Sequence, residues 1–360
     1  MRVAVFSTSR SDFDVALHLF EAIKTVGFAT VYFYANDSLK HLFPNVNVFP
    51  LGVSLKDASS DEYKNLVDAV HARIDEDKID VGVVIGDRWE TLLIAQILVS
   101  LGIKLIHHSG GDLTNGSLDN AYRYACTMLA SVHWVSAPPH RDRLVKLGIP
   151  ADQVFFVGEP QLGVKRKAAK DFSAEDLGIS FDFSEPYMLV CVHPSIDLLE
   201  NFEYALGEIR SFLESQPLNV LFTAPNHDLG ALEINQYWRK LVSEHEKWHV
   251  VDSLGSAFAN VLHRSACLLG NSSAGMFEAS TLGVPVINLG SRQDGRLRGG
   301  NVVDCGFKCD QMHKALNRVA SLSRSVLDSP YYNEDWQRVV RESLVQLASS
   351  SCSPSVGIVL

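Results

Sequence analysis

Asp87 and Asp112 each follow closely on an apolar run, Asp112 and Asp119 bracket a turn, and arginines stand nearby at 88 and 123. Charged groups directly after a buried strand cost free energy unless they are paired or used. Carboxylates gathered from neighbouring strand ends suit acid/base work. Gly86-Asp87-Arg88-Trp89-Glu90 ends one such run. Asp87 with Glu90 three residues on would also serve as a helix cap, a role that leaves Arg88 unexplained. The densest polar stretch runs from His107 to Asp119, and Arg123 follows it. Its paired glycines, Gly110 and Gly111, allow backbone to approach a ligand closely. Metal binding competes for the same carboxylates and histidines. Asp119 equally suits a helix cap, and His107 a buried structural role.

Other loops offer what an anion needs. Ser7-Thr8-Ser9-Arg10-Ser11-Asp12 supplies hydroxyls, the Arg10 guanidinium and a helix start, which makes either a phosphate cradle or a plain capped loop. Gly270–Ala279 reads as a strand end, a hydroxyl-rich turn and a helix start. There Asn271 leads to Ser272 and Ser273, and free N–H groups with two hydroxyls can hold a diphosphate. Glu278 would repel phosphate and suits ribose hydroxyls instead. Gly290–Asn301, which contains Arg292, Arg296 and Arg298, is either a clamp for a leaving phosphate or a solvated surface loop. Asn226 lies in Ala224–Asp228, a short polar loop after another apolar run.

These loops need a frame that brings strand ends together. Strands are expected at Val3–Ser7, Thr30–Tyr34, Val81–Ile85, Lys104–His107, His133–Val135 and Val154–Val157. A second series is expected at Tyr187–Val192, Leu218–Thr223, Trp248–Val251, Ala266–Leu269 and Pro285–Leu289. The runs are continuous in Val, Ile and Leu rather than alternating, as in parallel sheets covered on both faces. Helices such as Asp14–Thr25, Glu90–Ser100 and Leu118–Ala130 supply the crossovers that parallel strands require. The expected fold class is α/β, with two doubly wound domains facing across a cleft and ligands beyond the carboxyl ends of the strands. A boundary near 165–185 gives domains of 1–170 and 171–331. A final stretch, 332–360, carries a helix over Asn333–Ser349 that can return to pack on the first domain.

Composition fits this frame. A chain of 360 residues suits two domains, and 46% apolar with 21% charged residues suits a soluble globular protein. A net charge of −10 argues against a nucleic-acid partner while leaving room for a local cationic pocket. Met1-Arg2 runs straight into Val3–Phe6, which reads as a strand rather than a secretory signal. The longest apolar stretch, Leu92–Ile106, is broken by Gln96, Ser100, Gly102 and Lys104, so no membrane span is expected. The six cysteines form neither a CxxC pair nor a zinc spacing. Buried thiols in a reducing cytoplasm, with no bound metal, are the expectation.

Taken in order, these loops resemble the hydrolysing UDP-N-acetylglucosamine 2-epimerases of sialic-acid and related nonulosonic-acid pathways. The pieces are Ser9–Asp12, Gly86–Glu90, Gly-Gly-Asp-x-Thr at Gly110–Thr114, Asp119 with Arg123, and the pair His193-Pro194. Gly-Asn-Ser-Ser-x-Gly-x-x-Glu at Gly270–Glu278 and Arg-Gln-x-Gly-Arg-x-Arg at Arg292–Arg298 complete them and are the most specific. The resemblance implies two Rossmann-like domains of glycosyltransferase-B type, with the second holding most of a UDP. It implies catalytic places for Asp87, Asp112, Asp119 and Arg123. It implies UDP or substrate contacts for Arg10, Arg88, Glu90, His193, Asn226, Asn271, Ser272, Ser273, Glu278 and Arg292. It further implies a UDP-sugar partner, no cofactor, and a cytoplasmic homodimer or homotetramer. The implied reaction expels UDP and hydrates the resulting glycal to N-acetylmannosamine. The family alternative is UDP-2,4-diacetamido-2,4,6-trideoxyglucose.

Three positions depart from the family pattern. Asp112 stands for the usual Glu, Tyr124 for the usual His, and His108 for an aliphatic residue. A displacement of about 1 Å at a reacting centre costs about a hundredfold in rate, so these departures bear on the sugar accepted and on competence. Rival readings are a glycosyltransferase, which needs no carboxylate trio, a non-hydrolysing epimerase, which keeps UDP on the sugar, and a silent UDP-sugar sensor.

Overall fold

The computed structural model of the chain describes residues 1–34, 49–51, 59–114, 118–163, 179–225, 229–322 and 329–349. It divides into two compact units, Met1–Gln161 with Tyr331–Leu360, and Leu162–Pro330. The stretch where composition shifts, 165–185, falls largely outside the described residues.

In the first unit the strands are β1 (Arg2–Ser7), β2 (Ala29–Tyr34), β3 (Phe49–Pro50), β4 (Val81–Ile85), β5 (Lys104–His108), β6 (Val132–Val135) and β7 (Val154–Phe156). They lie in the order β3-β2-β1-β4-β5-β6-β7, and every described pairing is parallel. Helices α1 (Arg10–Thr25), α2 (Ser60–Asp77), α3 (Trp89–Ser100), α4 (Asp119–Leu129) and α5 (Pro138–Lys146) make the crossovers. The runs Val3–Phe6 and Val81–Ile85 are buried along their whole length because helices cover both faces of the sheet.

The second unit repeats the plan with β8 (Tyr187–Cys191), β9 (Asn219–Thr223), β10 (Trp248–Val251), β11 (Cys267–Gly270), β12 (Val286–Leu289) and β13 (Val302–Cys305), in the order β10-β9-β8-β11-β12-β13. Its described pairings are also parallel. Around the sheet lie α6 (Phe202–Glu214), α7 (Ala231–Val242), α8 (Phe258–Arg264), α9 (Glu278–Leu282) and α10 (Cys309–Ala320). After this unit the chain returns to the first one. Helix α11 (Trp336–Ser349) buries Trp336, Val340, Leu344 and Leu347 in the same core as β1 and α1. Its Ser343 hydroxyl accepts a hydrogen bond from Trp134 Nε1 at 2.9 Å.

Two strands have no counterpart among the apolar runs. Phe49–Pro50 is only two residues long and edges its sheet. Val302–Cys305 has a single neighbour, β12, and its Asp304 is exposed, so the uninterrupted apolar signal of a central strand is missing. Among the described residues no helix is long and apolar enough to cross a membrane.

Candidate active site

In each sheet the strand order reverses once, between β1 and β4 and again between β8 and β11. Loops leaving the carboxyl ends of such a strand pair diverge and open a crevice. Among the described residues, the sequence-predicted groups lie in or beside loops at these two places.

In the first unit the loop after β4 carries Asp87 and Arg88. Gly86 adopts φ +83°, the left-handed region that turns the chain off the strand. Its carbonyl oxygen accepts from His107 Nε2 at 2.8 Å, while Thr127 Oγ1 lies 3.1 Å from His107 Nδ1. Burial pushes the His107 pKa down to about 3. The ring is therefore neutral, with Nε2 as donor and Nδ1 as acceptor. His107 thus takes the structural role open to it in the sequence, holding the turn that presents Asp87.

Arg123 of α4 is the hub of the cluster. It is 3% exposed, and its Nη2 forms an ion pair with Asp87 Oδ2. Its Nη1 donates to the Asp112 carbonyl oxygen at 2.9 Å and to Asn120 Oδ1 at 3.0 Å. One buried cation therefore ties together the loops after β4 and β5 and the start of α4. Arg88 pairs instead with Glu90, its Nη2 donating to Oε1 at 2.8 Å. Burial works against the Arg88 charge, but Glu90 outweighs it and raises the pKa, helped by the charges of Asp12 and Asp119. Glu90 is only 1% exposed, so its carboxylate is buried beneath Arg88 rather than open to a ligand. The helix-cap reading of Asp87 and Glu90 does not hold, because Arg88 is the N-cap of α3 and no side chain caps it.

The double glycine after β5 faces protein. A Cβ on Gly111, at φ +79°, would sit 2.6 Å from the His140 carbonyl oxygen of α5, and one on Gly110 would meet Thr127 Oγ1 at 3.0 Å. The close approach expected toward a ligand is thus a close approach toward α4 and α5. Asp112 follows directly and is buried. Its Oδ1 accepts from Leu113 N at 2.8 Å and lies 3.4 Å from His140 Nε2. Asp119 is exposed as the first residue of α4, where its charge also suits the helix dipole.

The loop after β1 is built around Asp12. Its carboxylate accepts from the backbone N–H of Thr8 and of Ser9, each at 2.9 Å, and from both hydroxyls. Those two N–H groups are therefore satisfied internally, as in the capped-loop alternative. Thr8 Oγ1 also lies 3.2 Å from Thr91 Oγ1, which joins this loop to α3. Burial pushes the Asp12 pKa up to about 6 against those hydrogen bonds. Arg10 starts α1, and its side chain lies outside the description.

In the second unit Asn271 takes the place that Arg123 has in the first. It is fully buried. Its Oδ1 accepts from His193 N at 2.7 Å and its Nδ2 donates to His193 O at 2.8 Å. Gly270, at φ +145°, has no room for a side chain, since a Cβ there would lie 2.0 Å from the Cys191 carbonyl oxygen. The loops after β8 and β11 are thereby locked together. Ser272 caps the short turn Ser273–Gly275, and Glu278 opens α9. The loop after β12 docks on the same turn, where Asn271 O accepts from Arg292 Nη1 at 3.1 Å and from Gln293 Nε2 at 2.9 Å.

Not every arginine of that loop serves a ligand. The Arg298 guanidinium donates to the carbonyls of Gln293 and Arg296 and pairs with Asp304 at 3.0 Å. Arg296 lies over the Phe277 ring, 5.4 Å from its centroid. Asn226 lies outside the described residues. Among the described residues no group of three or more His, Cys, Asp or Glu could hold a metal.

Three residues of the site escaped sequence reasoning. Asn120 gives its Oδ1 to both Thr114 N and Arg123. Gln293 is buried inside a motif otherwise noted for its charges. His140 lies on α5 among charged residues that form no recognisable motif, and was found only by proximity to Asp112.

Comparison with known proteins completes the picture. A hydrolysing GDP/UDP-N,N'-diacetylbacillosamine 2-epimerase of Campylobacter jejuni is 30% identical over 235 residues, 63% of this chain and 60% of that protein. A hydrolysing UDP-N,N'-diacetylbacillosamine 2-epimerase of Legionella pneumophila is 28% identical over 66% of this chain and 64% of its own length. The match thus spans less than two thirds of either relative. The crystal structure of the Neisseria meningitidis UDP-GlcNAc 2-epimerase bound to UDP-GlcNAc superposes with a TM-score of 0.80 at 15% identity, covering 96% of this chain and 100% of that one. That likeness shows the fold, two parallel-sheet α/β domains of glycosyltransferase-B type. Residues 39–344 match the profile of the UDP-N-acetylglucosamine 2-epimerases. The chain belongs to the UDP-N-acetylglucosamine 2-epimerase family.

Proposed function

We propose that the chain is a hydrolysing 2-epimerase that converts UDP-N-acetylglucosamine and water to UDP and N-acetylmannosamine. The observation that carries this reading is the Arg123 hub, which gathers the backbone of Asp112 and the carboxylate of Asp87 at the switch point of the first unit, with Asp119 at the start of the same helix. A glycosyltransferase has no use for such a centre, since it needs no base at C2.

The C2 hydrogen of the sugar is not flanked by a carbonyl, so a carboxylate cannot remove it unaided. As the C1–O bond to the diphosphate breaks, positive charge develops at C1 and acidifies the C2–H bond. The reaction therefore needs a base near C2 and a site that stabilises a departing diphosphate. Asp112 takes the C2 proton, the C2–H electrons form the C1–C2 double bond, and the C1–O pair leaves with UDP. Water then adds its hydroxyl to C1, and a proton returns to C2 on the opposite face. Asp87 and Asp119 handle that water and that proton. Arg123, being buried, orients Asp87 and Asp112 rather than touching the sugar. On the leaving-group side, Arg10, Arg88 and Arg292 supply cationic donors, and Ser272 and Ser273 supply hydroxyls at a helical turn. His193 and Asn271 shape that turn, Asn226 is assigned to the nucleotide as the family resemblance implies, and Glu278 takes the ribose hydroxyls.

A second substrate has specific support. The Campylobacter and Legionella relatives are both described as diacetylbacillosamine 2-epimerases, which favours a sugar carrying a second acetamido group at C4. Proton NMR on a panel of UDP-sugars in deuterated water tests both readings. Free UDP with a C2-deuterated manno product from UDP-N-acetylglucosamine supports the first. The same signature only from the 2,4-diacetamido sugar supports the second. UDP-linked manno product would mean a non-hydrolysing epimerase, and no turnover of any sugar would mean a sensor.

A further inference from the structure

His140, the third residue of α5, packs its ring against Asp112, with Nε2 3.4 Å from Oδ1. The side chain is 2% exposed, and on another side it meets the Tyr331 ring, with centroids 6.0 Å apart. The start of α5 is held against the turn that carries Asp112. The His140 carbonyl oxygen lies where Gly111 leaves no room for a Cβ, and Arg143, one turn on, donates to the Gly111 carbonyl oxygen. The position of the imidazole relative to the carboxylate is therefore fixed by backbone contacts as well as by packing.

Burial lowers the His140 pKa to about 4, so the ring is neutral and carries one N–H. A carboxylate oxygen only accepts, which puts that proton on Nε2. Nδ1 is then a buried acceptor, and it has no hydrogen-bond partner among the described residues. Burying a polar atom unpaired disfavours the fold, and a phenyl ring would fill the same space without it. Packing alone therefore does not account for an imidazole here. His107 makes the contrast, because both its ring nitrogens are engaged.

On Asp112 both contacts converge on one oxygen. Oδ1 receives the Leu113 N–H and faces His140 Nε2, whereas Oδ2 has no partner among the described residues. We infer that His140 is a positioning residue of the reaction: together with the Leu113 N–H it pins Oδ1 of Asp112 and leaves Oδ2 as the oxygen that takes the C2 proton of the sugar. This rests on the reading of Asp112 as the C2 base. In the step the C2–H bond breaks and an O–H bond forms at Oδ2, while the C2–H electron pair becomes the C1–C2 double bond and the C1–O pair departs on the diphosphate. His140 keeps its own proton throughout.

The charged and titratable groups facing His140 are Asp112, Arg143, Arg123 and His108, with the Tyr331 ring tilted beside it. The test is steady-state kinetics on the full chain for His140→Phe, which keeps the packing, and His140→Gln, whose amide N–H replaces Nε2–H. His140→Leu is prepared in parallel as a smaller apolar replacement, should the phenyl ring not be accommodated. The apolar variants should lose about a hundredfold in kcat, with KM within about threefold. The Gln variant should recover to within about tenfold of wild type. His133→Phe is the control, since His133 is also buried with an unpartnered Nδ1 but does not touch Asp112. It should change the melting temperature and leave kcat in place. A folded apolar variant with wild-type kcat overturns the role of His140. If Asp112→Asn keeps full activity, or the wild-type chain turns over no UDP-sugar, the reading of the site fails instead.

Discussion

The two switch points hold polar groups in a crevice by opposite means. In the first unit a buried guanidinium, Arg123, gathers a carboxylate, a carbonyl and an amide oxygen. In the second a neutral amide, Asn271, stitches two loops through paired hydrogen bonds to His193 and receives Arg292 and Gln293 on its own carbonyl. In the proposed function the difference follows from what each crevice must present. Carboxylates tied to one buried cation are held in place for proton transfer. A site for a diphosphate is better organised by a neutral group, because a fixed carboxylate there would repel the ligand.

The sharpest way to break the comparison is to remove the hub of the first unit. Arg123→Ala leaves Asp87 half-buried without its cation and the Asp112 carbonyl without its donor. It should cost about 3–5 kcal/mol in urea unfolding. A loss below about 1 kcal/mol would mean that the ion pair does not organise the site.

Next in size is a pH effect peculiar to the first crevice. The folded pKa of Asp12, about 6, lies above the unfolded value of about 4. Its contribution is therefore full below pH 4 and is lost as pH rises through 6, a change of about 3 kcal/mol. The difference in unfolding free energy between wild type and Asp12→Asn, measured from pH 4 to pH 7, should fall by that amount. A flat difference would mean that the Asp12 carboxylate titrates normally.

A smaller loss is expected from Asn271→Leu. It strands the His193 N–H and carbonyl, at about 2 kcal/mol by thermal unfolding. If it proves as costly as Arg123→Ala, the contrast between a charged and a neutral hub loses its meaning.

Much of this frame was legible in the residues. Val81–Ile85 and Tyr187–Cys191 announce central parallel strands because helices cover both faces and every position is apolar. Val302–Cys305 escaped because an edge strand tolerates an exposed Asp304. The loops of the site were legible as clusters of glycine, hydroxyl and charge, but their internal wiring was not. Nothing in Gly110-Gly111 says that the space denied to a side chain belongs to α5 rather than to a ligand. Nothing near Glu90 says that it is buried under Arg88. His140 lies 28 positions from Asp112 in sequence, and only the packing of α5 on the turn after β5 brings them together. Spacing along a chain reports local geometry, and these contacts are long-range.

The central claim is that the first unit handles protons and the second holds the nucleotide. Calorimetric titration of UDP into Asp112→Asn and Asn271→Asp tests it directly. The account predicts that Asp112→Asn binds UDP within about threefold of wild type. It predicts that Asn271→Asp, which puts a negative charge beside the turn and removes a donor, weakens UDP by at least about tenfold. Equal weakening by both variants, or tight binding by Asn271→Asp, would contradict it.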